Sequence, residues 1–184
     1  MNYSDKCTVL GLDISTSITG ATVIQNGKII DSLYWDTRNK RKFPTLYEKA
    51  DFVQTNLWTL KEKYDITNVF IEQSLQSFRS GFSSAKTLST LARFNGIISW
   101  SCYKAFDIQP EMIAASSARK LAGVGIKRGD NAKEKVLQFI LDNYPQITIE
   151  YTKHGNPKAG MLDMCDSIIV ALAGDKIVRE KGNS

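Results

Sequence analysis

Alternating polar and apolar positions in the first forty residues predict three consecutive β-strands. The segments Thr8 to Asp13, Thr19 to Gln25 and Lys28 to Trp35 are rich in β-branched and apolar residues, as strands are. Asn26-Gly27, between the second and third segments, is a dipeptide that favours a two-residue hairpin turn. We therefore predict that these three segments form an antiparallel meander.

Downstream of the meander, helical and strand-like patterns alternate. From Pro44 to about Tyr64 apolar residues recur at helical spacing, whereas Val69-Phe70-Ile71 is a short apolar run that fits a buried strand ending at Glu72. A Ser-rich loop from Ser74 to Ser84 follows, and residues 145–160 lack clear periodicity. The other predicted elements are a helix from about Ala85 to Ala105, a strand from Met112 to Ala115, a Gly-rich basic loop from Gly123 to Gly129, a helix from Ala132 to about Asn143 and a helix from about Leu162 to Arg179.

This order of elements predicts an α/β fold. A meander followed by strands that are separated by helices gives a mixed five-stranded sheet, with three antiparallel and two parallel strands, flanked by helices. We see no internal repeat or linker, so we expect a single domain over residues 1–184. In open sheets of this kind, ligands bind at the carboxyl ends of the strands.

Composition narrows the class of protein. The chain has 184 residues, 42% of them apolar, and a chain of this size buries roughly 70% of its unfolded surface without disulfides. Cys7, Cys102 and Cys165 form no C-x-x-C pair and His154 is the single histidine, which argues against a zinc module. The first residues lack a signal-like apolar segment, and no run is long enough to span a membrane. We expect an intracellular protein of the cytoplasm.

The net charge of +5 is concentrated in two basic segments, Asp36 to Lys42 and Ser116 to Lys135. Each segment alone also suits a solvated loop, but two of them favour a polyanionic partner, with nucleic acid as the first candidate. The candidate DNA-binding residues in these segments are Arg38, Lys40, Arg41, Lys42, Arg119, Lys120, Lys127, Arg128, Lys133 and Lys135.

Four carboxylates occupy positions that a hydrophobic core would not favour. Asp13 ends the first strand, Glu72 ends the strand Val69 to Ile71, and Asp163 and Asp166 lie at i and i+3 on the last helix. Taken singly, Asp13 also suits a turn and Asp163 a helix N-cap. If the first and fourth strands are parallel neighbours, Asp13 and Glu72 emerge side by side.

Like charges this close repel, so such a cluster must either take up protons or bind cations. Oxygen ligands select Mg²⁺ or Mn²⁺. Two such ions, about 4 Å apart, can hold a phosphodiester from both sides during hydrolysis. The four carboxylates therefore predict a phosphodiester-cleaving site with two ions.

Five segments together resemble the RuvC-type Holliday-junction resolvases of the ribonuclease-H-like superfamily, which include phage and viral proteins. The segments occur in family order and cover nearly the whole chain. They are Val9 to Ser15 with Thr19-Gly20, Phe70-Ile71-Glu72-Gln73, Leu91-Ala92-Arg93 with Gly96-Ile97-Ile98, Gly123-Val124-Gly125 with Ala132-Lys133-Glu134, and Leu162 to Ala173.

The resemblance implies a ribonuclease-H-like fold and an endonuclease that resolves four-way DNA junctions by paired symmetric nicks. It implies two Mg²⁺ or Mn²⁺ ions per site, held by Asp13, Glu72, Asp163 and Asp166, and Lys133 as a catalytic basic residue facing the scissile phosphate. It also implies a homodimer that packs partly through the helix after Glu72. Recombination or replication factors are further candidate partners. The expected location is the cytoplasm, together with DNA, and the host-cell cytoplasm if the gene is viral.

The sequence departs from the bacterial pattern at two places. An aromatic residue commonly follows the catalytic Glu-Gln pair in the family, whereas Ser74-Leu75 stand here and the nearest aromatics are Phe78 and Phe82. Phe78, Arg79 and Phe82 are candidates for stacking on unpaired bases. The segment from Thr148 to Met161 is longer than expected, and the sequence offers no account of it.

Three other functions compete with the resolvase hypothesis. Gly11-Leu12-Asp13 with Thr16 and Gly20 also looks like the first phosphate loop of actin-like or sugar-kinase-like ATPases, but 184 residues are too few for the second lobe those proteins need. A binding-only nucleic-acid module would not need four intact carboxylates. A nuclease of the same mechanism that acts on other branched DNA or RNA–DNA hybrids stays open.

Overall fold

Residues 7–73 and 85–182 are described by a computed structural model. Within them, five strands form one mixed sheet: β1 (Thr8–Asp13), β2 (Ile18–Gln25), β3 (Lys28–Asp36), β4 (Asn68–Glu72) and β5 (Glu111–Ile113). The strand order is β3-β2-β1-β4-β5. β2 is antiparallel to both β1 and β3, β4 is parallel to β1, and β5 is parallel to β4. The mixed sheet of an antiparallel meander plus two parallel strands is therefore confirmed.

The predicted hairpin joins β2 to β3. Asn26 and Gly27 both have positive φ, 49° and 79°, as the two central residues of a type I′ turn require. The register shifts between Val23 and Ile24, so a bulge next to the hairpin increases the local twist of the strand pair.

Helices cover both faces of the sheet: α1 (Leu46–Lys63), α2 (Ala85–Phe106), α3 (Ala115–Ala122), α4 (Ala132–Asn143) and α5 (Met161–Gly182). Side chains fix where two of them begin, because Thr45 and Glu48 form a capping box at α1 and the Asn131 side chain accepts from the Lys133 N–H at α4. Gly123, in the left-handed conformation, ends α3.

The core divides into two layers because neighbouring strand residues point to opposite faces. On β4, Val69 and Ile71 pack with residues of α1 and α2, whereas Phe70 packs with residues of α3, α4 and α5. On β1, Leu10 belongs to the first layer and Val9 to the second. The sheet therefore lies between two helical layers.

The helix α5 contacts the sheet with almost no side chain between the backbones. A Cβ built on Gly11 would lie 2.4 Å from the Ala171 backbone nitrogen, and one built on Gly20 would lie 2.1 Å from the Asp163 carbonyl oxygen. Only glycine leaves room for such an approach. These two glycines therefore determine how closely the first half of α5 approaches β1 and β2.

Several sequence predictions need correction. The last strand ends at Ile113 rather than Ala115, because the chain turns directly into α3, which the sequence analysis did not predict. That helix has no side-chain N-cap, and its apolar face is only eight residues long and consists mostly of alanine. It therefore gives no capping signal and only a short periodic one. The final helix begins one residue earlier than expected, at Met161, and continues to Gly182. None of the helices in the two described ranges is long and apolar enough to cross a membrane.

Candidate active site

Asp13 and Glu72 are the last residues of two adjacent parallel strands. Leu12 of β1 pairs with Ile71 of β4, so the residues that follow them leave the sheet side by side at one edge. This is the carboxyl edge of the parallel strands, where α/β sheets place their ligand sites. The adjacency predicted for these two carboxylates is therefore what the register produces.

Asp163 and Asp166 approach the same edge from α5. Asp163 lies in the first turn of the helix and Asp166, one turn on, is buried. A buried hydroxyl pair holds this part of α5 to the sheet, since Ser167 Oγ lies 2.8 Å from Thr22 Oγ1 on β2. Ser167 also donates to the Met164 carbonyl, which ties the same contact into the helix backbone.

The pKa values show that the four carboxylates interact. Burial, followed by the charges of Glu72, Asp166 and Asp163, raises the pKa of Asp13 well above its ordinary value. Burial and then Asp166 raise the pKa of Glu72 to about 7, and burial with a smaller contribution from Asp163 raises the pKa of Asp166. The cluster therefore concentrates more negative charge than its buried surroundings stabilise.

Two basic residues partly compensate this charge. Lys133, in the first turn of α4, acts to lower the pKa values of Asp13, Glu72 and Asp166. Arg119 on α3 acts the same way on Glu72 and Asp166. The sequence predicts Arg119 only as a nucleic-acid contact, because α3, the helix that places this residue near the carboxylates, is not predicted. β5 is parallel to β4 and ends at the same edge of the sheet as Glu72, so a helix predicted directly after β5 would have placed Arg119 near the carboxylates.

The donor set fits a hard divalent cation in chemistry and in charge. All four carboxylates offer oxygen, the ligand atom that Mg²⁺ and Mn²⁺ prefer, and their mutual repulsion would be relieved by added positive charge. Among residues 7–73 and 85–182, however, no three His, Cys, Asp or Glu side chains already form a metal-binding group. The carboxylates are thus electrostatic neighbours that would have to draw closer to share an ion.

On the β3 side of the site, the chain after Asp36 carries the first basic segment. Because Ile18 of β2 pairs with Asp36, this segment leaves the sheet at the same edge as Asp13. Arg38 forms a 2.6 Å ion pair with Asp36, and its guanidinium pKa is raised by Asp36 first and to a smaller degree by Asp163. Lys42 lies 5.2 Å from the centre of the Phe43 ring, a cation–π contact, and Lys40 and Arg41 between them are exposed.

The second basic segment lies on the opposite flank, on α3, the loop after it and the start of α4. Its exposed members are Lys120, Lys127, Arg128, Lys133 and Lys135. Lys135 has a weak 4.0 Å ion pair with Asp130, so most of this charge faces solvent. The structure thus places basic residues on both sides of the carboxylates. Phe78, Arg79 and Phe82 lie outside the described residues.

The fold is shared with structures of known resolvases. Thermus thermophilus RuvC in complex with a Holliday junction substrate aligns with a TM-score of 0.66 and 12% identity, over 95% of this chain and 96% of that one. A second structure of Thermus thermophilus RuvC gives 0.63 and 15%, over 95% and 96% of the two chains. The yeast mitochondrial Holliday junction resolvase Ydc2 gives 0.61 and 14%, over 95% and 80%.

At such low identity these similarities establish the fold alone. A scan of protein-family models finds no match, and a search of curated proteins finds no significantly similar sequence. The chain therefore has the ribonuclease-H-like fold of RuvC, which confirms the fold class predicted from the sequence.

Proposed function

We propose that this protein is a structure-selective, Mg²⁺- or Mn²⁺-dependent endodeoxyribonuclease that resolves four-way DNA junctions by paired symmetric nicks. The observation that carries the proposal is the convergence of Asp13, Glu72 and Asp166 at the carboxyl edge of a RuvC-like sheet, where burial first and neighbouring carboxylates second raise their pKa values. One of the structures with this fold is bound to a Holliday junction substrate.

Asp13, Glu72, Asp163 and Asp166 are the residues that would hold the metal. Two ions held by them would supply an activated water and a Lewis acid for phosphodiester hydrolysis. The chain itself presents four carboxylates along an edge where Asp13 and Glu72 are set by strand register and Asp166 by the seating of α5. Because strand and helix backbones position them, these side chains need only rotate to approach a ligand.

Lys133 and Arg119 would receive the substrate phosphate. A phosphodiester that approaches four carboxylates is repelled by them, and the two cations offset that repulsion at the place where it is strongest. Lys133 opposes the pKa shifts of Asp13, Glu72 and Asp166, so its ammonium acts on three of the four carboxylates. We assign it the role of facing the scissile phosphate.

The two basic flanks would contact DNA on either side of the cut. Arg38 to Lys42 follow β3 and Arg119 to Lys135 follow β5, so the carboxylates lie between them. Exposed lysines and arginines neutralise phosphates without reading bases, which suits recognition of a branched shape rather than a sequence.

A homodimer through α2 would supply the second active site that paired nicks require. Trp100 and Tyr103 on this helix are 58% and 48% exposed and lie one turn apart, so together they form an exposed aromatic pair. Ala92 and Gly96 are exposed on the same face at helical spacing, and small residues allow two helices to approach closely. A two-fold axis through this face would present one active site to each of two opposed strands.

A cleavage panel tests the proposal. Purified protein with Mg²⁺ is incubated with four-way junctions, flaps, RNA–DNA hybrids and linear duplexes, and we expect symmetric cuts in the junctions that depend on the metal. Asp13→Asn should abolish cutting, whereas Asp51→Asn, at an exposed position on α1, should not. A preference for flaps or hybrids would change the proposed substrate but leave the nuclease activity in place. Normal cutting by the Asp13→Asn variant would refute the assignment of the active site.

A further inference from the structure

A groove of about 540 Å³ lies beside the candidate active site, on the flank formed by α3 and the loop that follows it. Its lining residues are Ser116, Arg119, Lys120, Gly123, Val124, Gly125 and Ile126. The volume lies within the range of small-molecule sites and is far too small for a duplex. Arg119 links the groove to the site, because the same guanidinium opposes the raised pKa values of Glu72 and Asp166.

One wall of the groove is apolar. Val124 is buried, whereas Ile126 is 37% exposed, so an isoleucine side chain faces water in a strongly basic loop. Gly125 between them adds no side chain, and a Cβ built there would meet nothing within 4 Å. A flat ring could therefore cover this open apolar surface, and excluding water from it would stabilise the bound state.

The rest of the groove offers hydrogen-bond donors and positive charge. Within the described part of the chain, the N–H groups of Gly125 and Ile126 donate to no other protein group. Lys120 and Ser116 are exposed, and Arg119 is half-buried. Two cations beside exposed backbone N–H groups can form charge-assisted hydrogen bonds to a phosphate.

We propose that this groove holds one unpaired nucleotide of the DNA substrate, with its base against Val124 and Ile126 and its phosphate at Lys120. Arg119, which lies between the groove and the carboxylates, then bridges this phosphate and the scissile one. The inference rests on the proposed nuclease function and adds to it a site for a base outside the stack. A phosphate alone would not use the apolar wall, and an apolar peptide would not use the cations. At a junction, an unpaired nucleotide beside the cut strand satisfies both requirements.

The test measures base unstacking at the bound junction. 2-Aminopurine, whose fluorescence rises when it leaves the stack, replaces single bases at and around the crossover of a four-way junction, in EDTA so that no cutting occurs. We expect wild-type protein to raise the fluorescence severalfold at one position on or next to the crossover. Ile126→Glu should remove that increase and weaken junction binding by roughly tenfold or less, the value of one apolar contact.

Leu141→Glu is the matched control. Leu141 is 40% exposed on α4 and outside the groove, so the same change in polarity and charge there should leave the fluorescence increase intact. Circular dichroism and thermal melting check that each variant folds, and Ile126→Ser replaces Ile126→Glu if the glutamate disturbs folding.

The outcomes separate this inference from the proposed function. The nucleotide site is refuted if wild-type protein cuts junctions but unstacks no base. It is also refuted if the fluorescence increase persists in a folded Ile126 variant. Neither result contradicts the nuclease. Base unstacking that depends on Ile126, in a protein that cuts no branched DNA with Mg²⁺, supports the nucleotide site and refutes the nuclease. Absence of any binding to branched or single-stranded DNA refutes both.

Discussion

Replacing Glu72 by glutamine should stabilise the metal-free protein at alkaline pH. The Glu72 carboxyl is confined beside Asp166 at the end of β4, where burial first and the aspartate second raise its pKa from 4.5 to about 7. Glutamine has nearly the same shape but no charge to lose. The substitution therefore removes an unfavourable ionisation without creating a cavity.

The size and sign of the effect follow from linkage. A carboxyl that holds its proton more tightly in the folded state destabilises that state once pH is high enough to remove the proton. The penalty is negligible below pH 4.5, grows as the pH rises from 4.5 to about 7 and is complete above that. The rise in the pKa of Glu72 from 4.5 to about 7 corresponds to about 3 kcal/mol in the free energy of unfolding, since each pKa unit is worth about 1.4 kcal/mol.

Urea unfolding in EDTA at pH 8 and pH 5 measures this effect. We expect Glu72→Gln to gain about 2–3 kcal/mol in free energy of unfolding at pH 8 and clearly less at pH 5. Glu62→Gln, at an exposed position of α1, should show no such pH-dependent gain. A Glu72→Gln variant that is no more stable than wild type at pH 8, or whose gain is the same at both pH values, would refute the electrostatic interpretation of the cluster.

Three further predictions concern the fold, the DNA contacts and the dimer. Gly20→Ala should cost about 1–3 kcal/mol of stability in thermal melting, because its Cβ would lie 2.1 Å from the Asp163 carbonyl oxygen. Gly125→Ala, whose Cβ would meet nothing within 4 Å, should be nearly neutral. Equal melting temperatures of the two variants would contradict the close packing of α5 on β2. Arg128→Ala should reduce the slope of log affinity against log salt for junction binding by about 0.9, and an unchanged slope would remove Arg128 from the DNA interface. Trp100→Glu should convert the proposed dimer to a monomer in light scattering and uncouple the two proposed nicks. A dimer that persists in this variant would place the interface elsewhere.

The sheet could be predicted from the sequence because its signals are local. Asn26-Gly27 determines the hairpin, and the apolar run Val69 to Ile71 has the length and composition of a buried strand. Once β4 is parallel to β1, register alone brings Asp13 and Glu72 together. The roles of these carboxylates and of Lys133 stay predictions that await the cleavage assays.

The surroundings of the carboxylates could not be predicted in the same way. α3 has an alanine at its N-cap position and only eight residues, so its apolar spacing is too short to identify it from the sequence. Without α3, the sequence gives no reason to place Arg119 near Glu72. The seating of α5 depends on Gly20 meeting the Asp163 backbone, a contact between distant parts of the chain that no periodicity reveals. Pairwise contacts of this kind require the assembled structure.

The direct backbone packing of α5 on β1 and β2 limits how the site adapts to its ligand. Where Gly11 and Gly20 touch the helix, no compressible side chain lies between the two elements, so hard-sphere repulsion resists any inward shift of α5. Asp163 and Asp166 therefore lie on a helix whose backbone cannot move closer to the sheet. In the proposed metal site, discrimination between cations of different radius then depends on torsions of the carboxylate side chains, and a smaller ion should not draw the α5 backbone closer to the sheet.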